Sequence, residues 1–375
     1  MIKKKISLNE IKKYLKRSGF TIIKRENKKS SPFAISSLNV ISKTALSCLA
    51  IISFFYISPH IIDFTSKSLL SSKEFKNNSQ DTFQKTLKKE NVVKLDESLN
   101  EKYLFDDVDF DDLPTDVVRL SASTIQQLFK DTNYNLQDVR KKKLVKPVSL
   151  SLLPEEIKSI ENIQERKNLF IQIILPLVIA ENNNIKLDRR KLFRFLNKSR
   201  NSLVEKKWIE KKFKQYGVKN NDLLTLKVRM DEIPVSMTIA QAAKETGWGT
   251  SRFAQEGNAL FGQWTWSGEG IKPAGAEVNT THKVMKFKIL QASVKAYQRN
   301  LNTHSSYRDF RSTRAELREK GKKLDSVILT DHLDKYAETG KEYVKTLQKI
   351  IRQNNLSDFD DAKLLPSSID LESLI

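Results

Sequence analysis

The stretch Ile233-Pro-Val-Ser-Met-Thr-Ile-Ala-Gln-Ala-Ala-Lys-Glu-Thr-Gly-Trp-Gly249 contains a helix together with the residue that ends it. One side of this helix is compact and suited to close packing, and it is formed by Ile239, Ala242, Ala243 and Thr246. Gly247 stands where a left-handed residue commonly terminates a helix. The stretch therefore predicts a tightly packed helix that stops at Gly247, in a region where helical periodicity dominates.

Glu245 lies in the last turn of this predicted helix, close to Trp248. A carboxylate at a helix C-terminus faces the negative end of the helix dipole, which disfavours its charged form. A neighbouring indole would exclude water from the carboxyl, and both effects raise the pKa. A carboxyl that stays protonated near neutral pH is suited to general acid catalysis. The competing interpretation is an ordinary surface glutamate on an alanine-rich helix.

Two motifs in this order make the chain recognisable: Ala240-Gln-Ala-Ala-Lys-Glu-Thr-Gly-Trp-Gly249, and then Gly257-Asn-Ala-Leu-Phe-Gly262. Together they resemble the glucosaminidase domain of glycoside hydrolase family 73, and more closely the bacterial Bax-like proteins. The likeness begins in Glu165–Ile185, includes Asn300-Leu-Asn-Thr-His304 and covers a little over half of the chain. One departure is Ala259, where the usual motif carries a second asparagine whose amide would help to anchor the loop.

The resemblance implies a mainly α, lysozyme-like domain with a cleft beside a small β-lobe. It also implies hydrolysis of the glycosidic bond after N-acetylglucosamine in peptidoglycan. Glu245 matches the catalytic glutamate of the family, and Tyr336 matches a tyrosine that lines the active site in relatives. Further positions are implied to bind the substrate or to close over the glutamate, namely Asn258, Phe261, Gly262 and Tyr343.

The catalytic partner of Glu245 is open at the level of sequence. Glycosidases usually use two carboxyl groups, and residues 264–288 show the glycines and the alternation of short strands, which predicts the β-lobe. This segment offers Glu277, near a position where relatives carry a second glutamate, and Glu269, in a glycine-flanked tip; Glu277 is preferred. A substrate-assisted reaction, in which the acetamido group of the sugar attacks, would need neither, and Tyr336 would then position that group.

Three tryptophans and one histidine near these motifs have two interpretations each. Trp264 and Trp266 stand two residues apart on a predicted strand and would face the same side, where they stack on sugar rings or pack on the helical lobe. Trp248 is a candidate for substrate contact and equally for core packing beneath the glutamate. His304 follows an amphipathic helix and is interpreted as a structural cap and not as a base.

The N-terminal part of the chain has a different composition. Residues 1–43 are basic, and residues 44–64 form an apolar run that just reaches the roughly 20 residues that span a bilayer as a helix. With the basic flank kept in the cytoplasm, this pattern predicts an uncleaved signal anchor in the bacterial inner membrane and a periplasmic catalytic domain. A cleaved signal peptide is the alternative. Residues 65–148 predict a linker or stalk, residues 149–356 the catalytic domain and residues 357–375 a tail.

Composition narrows the possible partners and cofactors. The net charge of +21 over 375 residues favours an acidic partner or reflects a lysine-rich composition. Because the basic residues are dispersed and no nucleic-acid motif occurs, nucleic acid is not expected as a partner. The single cysteine excludes an internal disulfide. The four histidines show no metal-ligand spacing, so neither a metal nor another cofactor is expected.

Two other functions fit the same residues. One is a catalytically silent peptidoglycan-binding protein of the cell envelope that has the same fold. The other is a lytic transglycosylase or a chitin-cleaving enzyme that uses the same acid. Replacement of Glu245 separates the first from an enzyme, and the chemistry of the newly formed glycan ends separates the second from a hydrolytic glucosaminidase.

Overall fold

The computed structural model describes residues 117–265, 270–272 and 283–366, together with Phe110 and Leu113. The predicted membrane anchor and the basic segment before it lie outside the described residues, as does most of the predicted stalk. Among the helices in the described part of the chain, none is both long enough and apolar enough to cross a bilayer.

The described residues are mainly helical, which confirms the predicted fold class at this level. The helices are α1 (Ala122–Asp131), α2 (Leu136–Lys142), α3 (Ile163–Leu196), α4 (Leu203–Gln215), α5 (Leu223–Arg229), α6 (Val235–Thr246), α7 (Arg252–Gly257), α8 (Leu290–Thr303), α9 (Arg308–Glu319), α10 (Ser326–Thr330) and α11 (Lys341–Gln353). The strands are β1 (Leu144–Val145), β2 (Trp264–Thr265), β3 (Gly270–Ile271), β4 (Lys283–Met285) and β5 (Lys363–Leu364). In the described residues, a helical body with one three-stranded and one two-stranded sheet agrees with the lysozyme-like architecture that the resemblance implies.

Helix α3 is continuous over 34 residues and includes both the apolar stretch Leu169–Ala180 and the segment Arg189–Leu196. Pro176 lies inside α3 and cannot donate to the carbonyl of Gln172. That carbonyl accepts a hydrogen bond from the Tyr134 hydroxyl at 3.1 Å, and the Gln172 amide donates to the Tyr134 carbonyl at 2.8 Å. A tertiary contact therefore satisfies the carbonyl that the proline leaves without a helical donor.

The folded domain begins before residue 149, because part of the predicted stalk packs into it. Ile125 and Phe129 on α1 are buried in the same core as α3. Strand β1 pairs in parallel with β5, Val145 lying opposite Leu364, so the predicted tail also contributes to the domain. On α1 the apolar residues are few and lie among polar ones, so their helical spacing is a weak signal in the sequence.

Helix α6 lies at the centre of the domain. Its side chains from Met237 to Ala243 are buried, and it contacts α3, α11 and the 3₁₀ turn Leu356–Phe359. The helix ends at Gly247, which has a φ of 56°, as the sequence predicted. The small side chains of α6 permit this close packing on several sides.

The start of α6 is capped by a residue that is distant in sequence. Pro234, at the N-cap position, supplies no side-chain hydrogen bond. Asp360 replaces it, because its carboxyl accepts hydrogen bonds from the Ser236 backbone N–H at 2.8 Å and from the Ser236 hydroxyl at 2.7 Å. Part of the predicted C-terminal tail therefore stabilises the N-terminus of the central helix.

A buried charge cluster holds the loop that leads into α6. Arg314 is fully buried and donates to the backbone carbonyls of Val228, Asp231 and Glu232 and to Oδ1 of Asn302. Arg318 donates to both carboxylate oxygens of Asp231, each at 3.2 Å. The Asn182 amide accepts from the N–H of Ile233 at 3.1 Å and donates to its carbonyl at 2.7 Å. The position of α6 is thus fixed at its start by charged and amide groups.

The small sheet has the antiparallel strand order β2-β4-β3 and falls within residues 264–288, as predicted for the β-lobe. Two backbone hydrogen bonds join β4 and the residues just after it to the end of α7 and to the loop that follows α7. Phe287 donates to the carbonyl of Gly257, and Met285 donates to the carbonyl of Gln263, both at 2.8 Å. The loop between α7 and β2 is therefore held from the side of the sheet.

Candidate active site

Glu245 lies in the last turn of α6 and is partly buried. Its Oε1 accepts a hydrogen bond from the Tyr343 hydroxyl at 2.7 Å. Burial raises the pKa of Glu245, and the hydrogen bond from Tyr343 and the charge of Lys244 offset this rise only in part. The carboxyl therefore keeps its proton to a higher pH than an exposed glutamate does, which suits an acid catalyst.

Two tyrosines from the C-terminal part of the chain line this carboxyl. Tyr343 on α11 is buried and stacks on Tyr336, with the ring centroids 5.6 Å apart and the planes at 5°. The Tyr336 hydroxyl donates to the carbonyl of Phe261 at 2.7 Å. Burial raises the pKa of both phenols, so both remain hydrogen-bond donors. The structure thus brings together Glu245, Tyr343 and Tyr336.

The side chains of Asn258 and Phe261 support the loop after α7 from inside the protein. Asn258 has a φ of 50°, and its amide donates to the carbonyls of Phe287 and Lys288 at 2.9 and 3.2 Å. Phe261 is 1% exposed and stacks on Tyr297, with ring centroids 3.9 Å apart. Both side chains are buried and shape the loop, and the expectation that they bind the substrate stays a prediction.

Gly262 is the residue by which this loop closes over the glutamate. It has a φ of 62°, and a Cβ built on it would lie 3.6 Å from Oε2 of Glu245. Ala259 is buried, and its backbone N–H donates to the carbonyl of Phe253 at 3.1 Å. The loop is therefore anchored at Ala259 through the backbone, without the amide that the usual motif would supply there.

Gln241 is a site residue that the sequence reasoning missed. It is fully buried one turn before Glu245, and its Nε2 donates to the Tyr343 hydroxyl at 3.0 Å. Its Oε1 accepts a hydrogen bond from the Tyr297 hydroxyl. A glutamine four residues before the glutamate, on the same face of a buried helix, was the available signal.

Comparisons with known proteins agree with this geometry. Residues 225–356 match the family model described as mannosyl-glycoprotein endo-beta-N-acetylglucosaminidase. Protein bax of Escherichia coli (strain K12) is 32% identical over 195 residues, which are 50% of this chain and 70% of that protein. The chain belongs to the Bax-like family with a glucosaminidase domain. At the level of this family it is a peptidoglycan-related hydrolase. No solved structure gives a significant match.

In this Bax-like chain, the structure describes two of the tryptophans that are predicted to contact the substrate, Trp248 and Trp264. Trp248 has a φ of 61° and is half-buried. Its ring packs edge-on against Phe170, with centroids 5.9 Å apart, and Lys167 Nζ lies 5.0 Å from the ring centroid. Trp248 therefore belongs in part to the core. Trp264 on β2 is 42% exposed, which leaves an indole surface at the β-lobe.

The remaining predicted site residues are not all described. Trp266, Glu269 and Glu277 lie outside the described residues, so the second carboxyl group stays a prediction. His304 accepts a hydrogen bond at Nδ1 from the Ser306 backbone N–H at 3.1 Å, which confirms its interpretation as a cap. Within the described ranges, no group of three or more metal-binding side chains occurs.

Proposed function

We propose that this Bax-like protein is an endo-β-N-acetylglucosaminidase that hydrolyses the glycan strands of peptidoglycan, with Glu245 as the general acid. The observation that carries this proposal is the environment of Glu245 at the end of α6. Burial raises its pKa, one oxygen is bonded to Tyr343, and the other lies beside Gly262. A carboxyl in such a place keeps its proton to a higher pH than an exposed glutamate does and can protonate a leaving oxygen.

The reaction needs a proton donor and a group that stabilises the developing positive charge at the anomeric carbon. Glu245 supplies the proton to the glycosidic oxygen as the bond to the anomeric carbon breaks. Two routes complete the reaction, and in each a water oxygen finally bonds to the anomeric carbon and loses a proton. Glu277 activates this water or first attacks the carbon itself from the opposite face of the sugar, or the acetamido group attacks first while Tyr336 helps to position it. The hydrogen bond from the Tyr336 hydroxyl to Phe261 fixes the phenol ring in place for the second route. Trp264 is proposed as a stacking surface for a sugar ring.

The substitution Glu245→Gln tests the acid. The amide keeps the size of the side chain and can accept the bond from Tyr343, but it cannot donate an acidic proton. We expect cleavage of purified peptidoglycan to be abolished while binding to sacculi is retained. Glu338→Gln, an exposed glutamate on the segment before α11, is the matched control and is expected to cleave like the wild type.

Mass spectrometry of the released fragments identifies the bond that is cleaved. N-acetylglucosamine at the new reducing end supports the proposal, and anhydro-muramic ends would establish a lytic transglycosylase instead. Undiminished cleavage by Glu245→Gln would contradict the role of this residue. Sacculus binding by the wild type without any cleavage would favour a peptidoglycan-binding protein.

We also propose that residues 44–64 anchor the chain in the inner membrane and place the catalytic domain in the periplasm. The support is the apolar run and the basic flank in the sequence. A reporter enzyme fused after residue 70 should be active only in a form that requires export. Activity of a cytoplasm-specific reporter at that position would refute this topology.

A further inference from the structure

The Tyr343 hydroxyl lies between two partners, Gln241 and Glu245. A phenol has one proton to donate and can also accept. Gln241 Nε2, 3.0 Å away, can only donate, so Tyr343 accepts from it. The single proton of Tyr343 is then directed to Oε1 of Glu245, 2.7 Å away. The direction of this hydrogen bond thus depends on which atom of the Gln241 amide faces Tyr343.

The orientation of the Gln241 amide depends in turn on Tyr297. Gln241 Oε1 can only accept, and the Tyr297 hydroxyl donates to it. If the amide were rotated by half a turn, its oxygen would face Tyr343 and would compete with Glu245 for the phenolic proton. Gln241 and Tyr297 are fully buried and Tyr343 is 3% exposed, so bulk water does not exchange freely with these bonds. The chain of donors runs from Tyr297 through Gln241 and Tyr343 to Glu245.

We infer that Gln241 is a positioning residue: it directs the Tyr343 proton to Oε1 of Glu245 and so reserves Oε2, beside Gly262, for the proton that the acid transfers. This inference rests on the proposed function. A carboxylic acid whose Oε1 accepts a hydrogen bond from Tyr343 carries its own proton on Oε2. During cleavage the O–H bond at Oε2 breaks, and its electron pair remains on the carboxylate. The proton joins the glycosidic oxygen, which takes the electron pair of the breaking bond to the anomeric carbon.

The same arrangement stabilises the product of proton transfer. As Glu245 becomes a carboxylate, the hydrogen bond from Tyr343 becomes charge-assisted and strengthens. An interaction that strengthens along the reaction lowers the barrier instead of only binding the ground state. Gln241 contributes to this effect without contacting the substrate, since it acts through the orientation of Tyr343.

The substitution Gln241→Glu tests the inference, because both oxygens of a carboxylate accept. The introduced carboxylate would accept from Tyr297 and also from Tyr343, which would withdraw the phenolic proton from Glu245. The readout is the titration of the Glu245 side-chain carboxyl, followed by ¹³C NMR in the full chain labelled at glutamate carboxyls, with Glu245→Gln as the assignment control. We expect Glu245 in the Gln241→Glu variant to titrate at higher pH than in the wild type, with kcat lowered roughly tenfold and its high-pH limb shifted in the same direction.

A thermodynamic cycle separates orientation from the effect of a new charge. Tyr343→Phe removes the donor and should raise the pH at which Glu245 titrates in the otherwise wild-type chain. In the Gln241→Glu background the same substitution should raise that pH only a little further. Tyr297→Phe is a milder change that leaves the Gln241 amide free to rotate, and it should raise the pH at which Glu245 titrates by a smaller amount. It should also make the shift caused by Tyr343→Phe smaller. Thermal melting verifies that each variant is folded.

The inference would be overturned if Tyr343→Phe shifted the titration of Glu245 equally in the wild-type, Gln241→Glu and Tyr297→Phe backgrounds. If Gln241→Glu does not fold, the Tyr297→Phe background alone decides by the same criterion. The titration does not depend on hydrolysis. A wild-type chain that shows the expected coupling but cleaves no peptidoglycan would therefore refute the proposed function and leave the role of Gln241 intact.

Discussion

Two carboxyl groups, that of Asp231 before the start of α6 and that of Glu245 at its end, have pKa values shifted in opposite directions. Before its start, burial raises the pKa of Asp231, but the charges of Arg189, Arg314 and Arg318 outweigh this and hold it below its ordinary value. At its end, burial also raises the pKa of Glu245, and a phenol and a lysine compensate only in part. Burial acts in the same direction at both ends, so the neighbouring charges decide the outcome.

This difference separates the carboxyl that anchors α6 from the carboxyl that is proposed as the acid. Within the described part of the chain, no arginine or lysine forms an ion pair with Glu245. A guanidinium beside the acid would stabilise its carboxylate and lower its pKa. The charges that fix α6 lie at its other end, where the 12 residues of the helix place them roughly 18 Å from the acid. Among the described residues, the helix is thus held firmly without an arginine or lysine that forms an ion pair with Glu245.

The substitution Arg314→Ala removes the central arginine of the charge cluster that anchors the start of α6. It leaves Asp231 with fewer counter-charges and removes the donor for three backbone carbonyls, two of them in buried hydrogen bonds. Loss of one partner from a buried charge cluster costs about 3–5 kcal/mol, and we expect the free energy of unfolding to fall by that amount in urea denaturation followed by tryptophan fluorescence.

Arg318→Ala is the matched control for the anchored end. Arg318 also contacts Asp231, but its side chain is 34% exposed, so water can replace part of the lost interaction. We expect a loss of about 1 kcal/mol. Equal losses in the two variants would show that burial of Arg314 does not set the strength of the anchor.

The substitution Asp360→Asn tests the cap at the start of α6 by its dependence on pH. Burial raises the pKa of Asp360 from 3.8 to about 6, although hydrogen bonds from Ser236 act against the rise. Between these values the folded protein holds a proton that the unfolded chain has released. The stability from this group is therefore fully present below about pH 4 and is lost as the pH rises through about 6.

In the wild type, the titration of Asp360 should lower the free energy of unfolding by about 2 kcal/mol between pH 4 and 7. Asparagine does not titrate, so Asp360→Asn should remove this slope of stability against pH. Urea denaturation at a series of pH values measures it. Asp358→Asn changes a half-exposed residue in the preceding 3₁₀ turn that pairs with Arg140, and it is expected to keep the wild-type dependence of stability on pH. A slope that persists in Asp360→Asn would mean that another group causes it.

The sequence predicted the end of α6 better than its start. The helix, its termination at Gly247 and the position of Glu245 depend on neighbouring residues, and local patterns record them. The anchored start depends on partners far away in the chain: Arg314 lies 83 residues from Asp231. Such pairing leaves no local pattern, because a buried arginine and an exposed arginine look the same in a sequence.

The candidate site shows the same limit. The motif identified Asn258 and Phe261 as important, but only the structure shows that they face inward and shape the loop. Gln241 lies within the motif, yet its role depends on α11, which brings Tyr343, 98 residues from Glu245, to the same carboxyl. A motif therefore indicates which residues matter, and tertiary contact decides what each one does.

Gly262→Ala has the smallest expected effect on stability. It is also the sharpest test of the C-terminal end of α6, which holds Glu245. Gly262 has a φ of 62°, and Gly321 has a φ of 63° with no atom within 4 Å of an added Cβ. Alanine at either position should cost about 1 kcal/mol of folding free energy through backbone strain alone. Only at Gly262 would the methyl group lie next to Oε2 of Glu245. If that oxygen delivers the proton, Gly262→Ala should lower kcat/KM roughly tenfold, and Gly321→Ala should leave it unchanged. Equal activities in two equally destabilised variants would show that substrate does not approach Glu245 from the side of this loop.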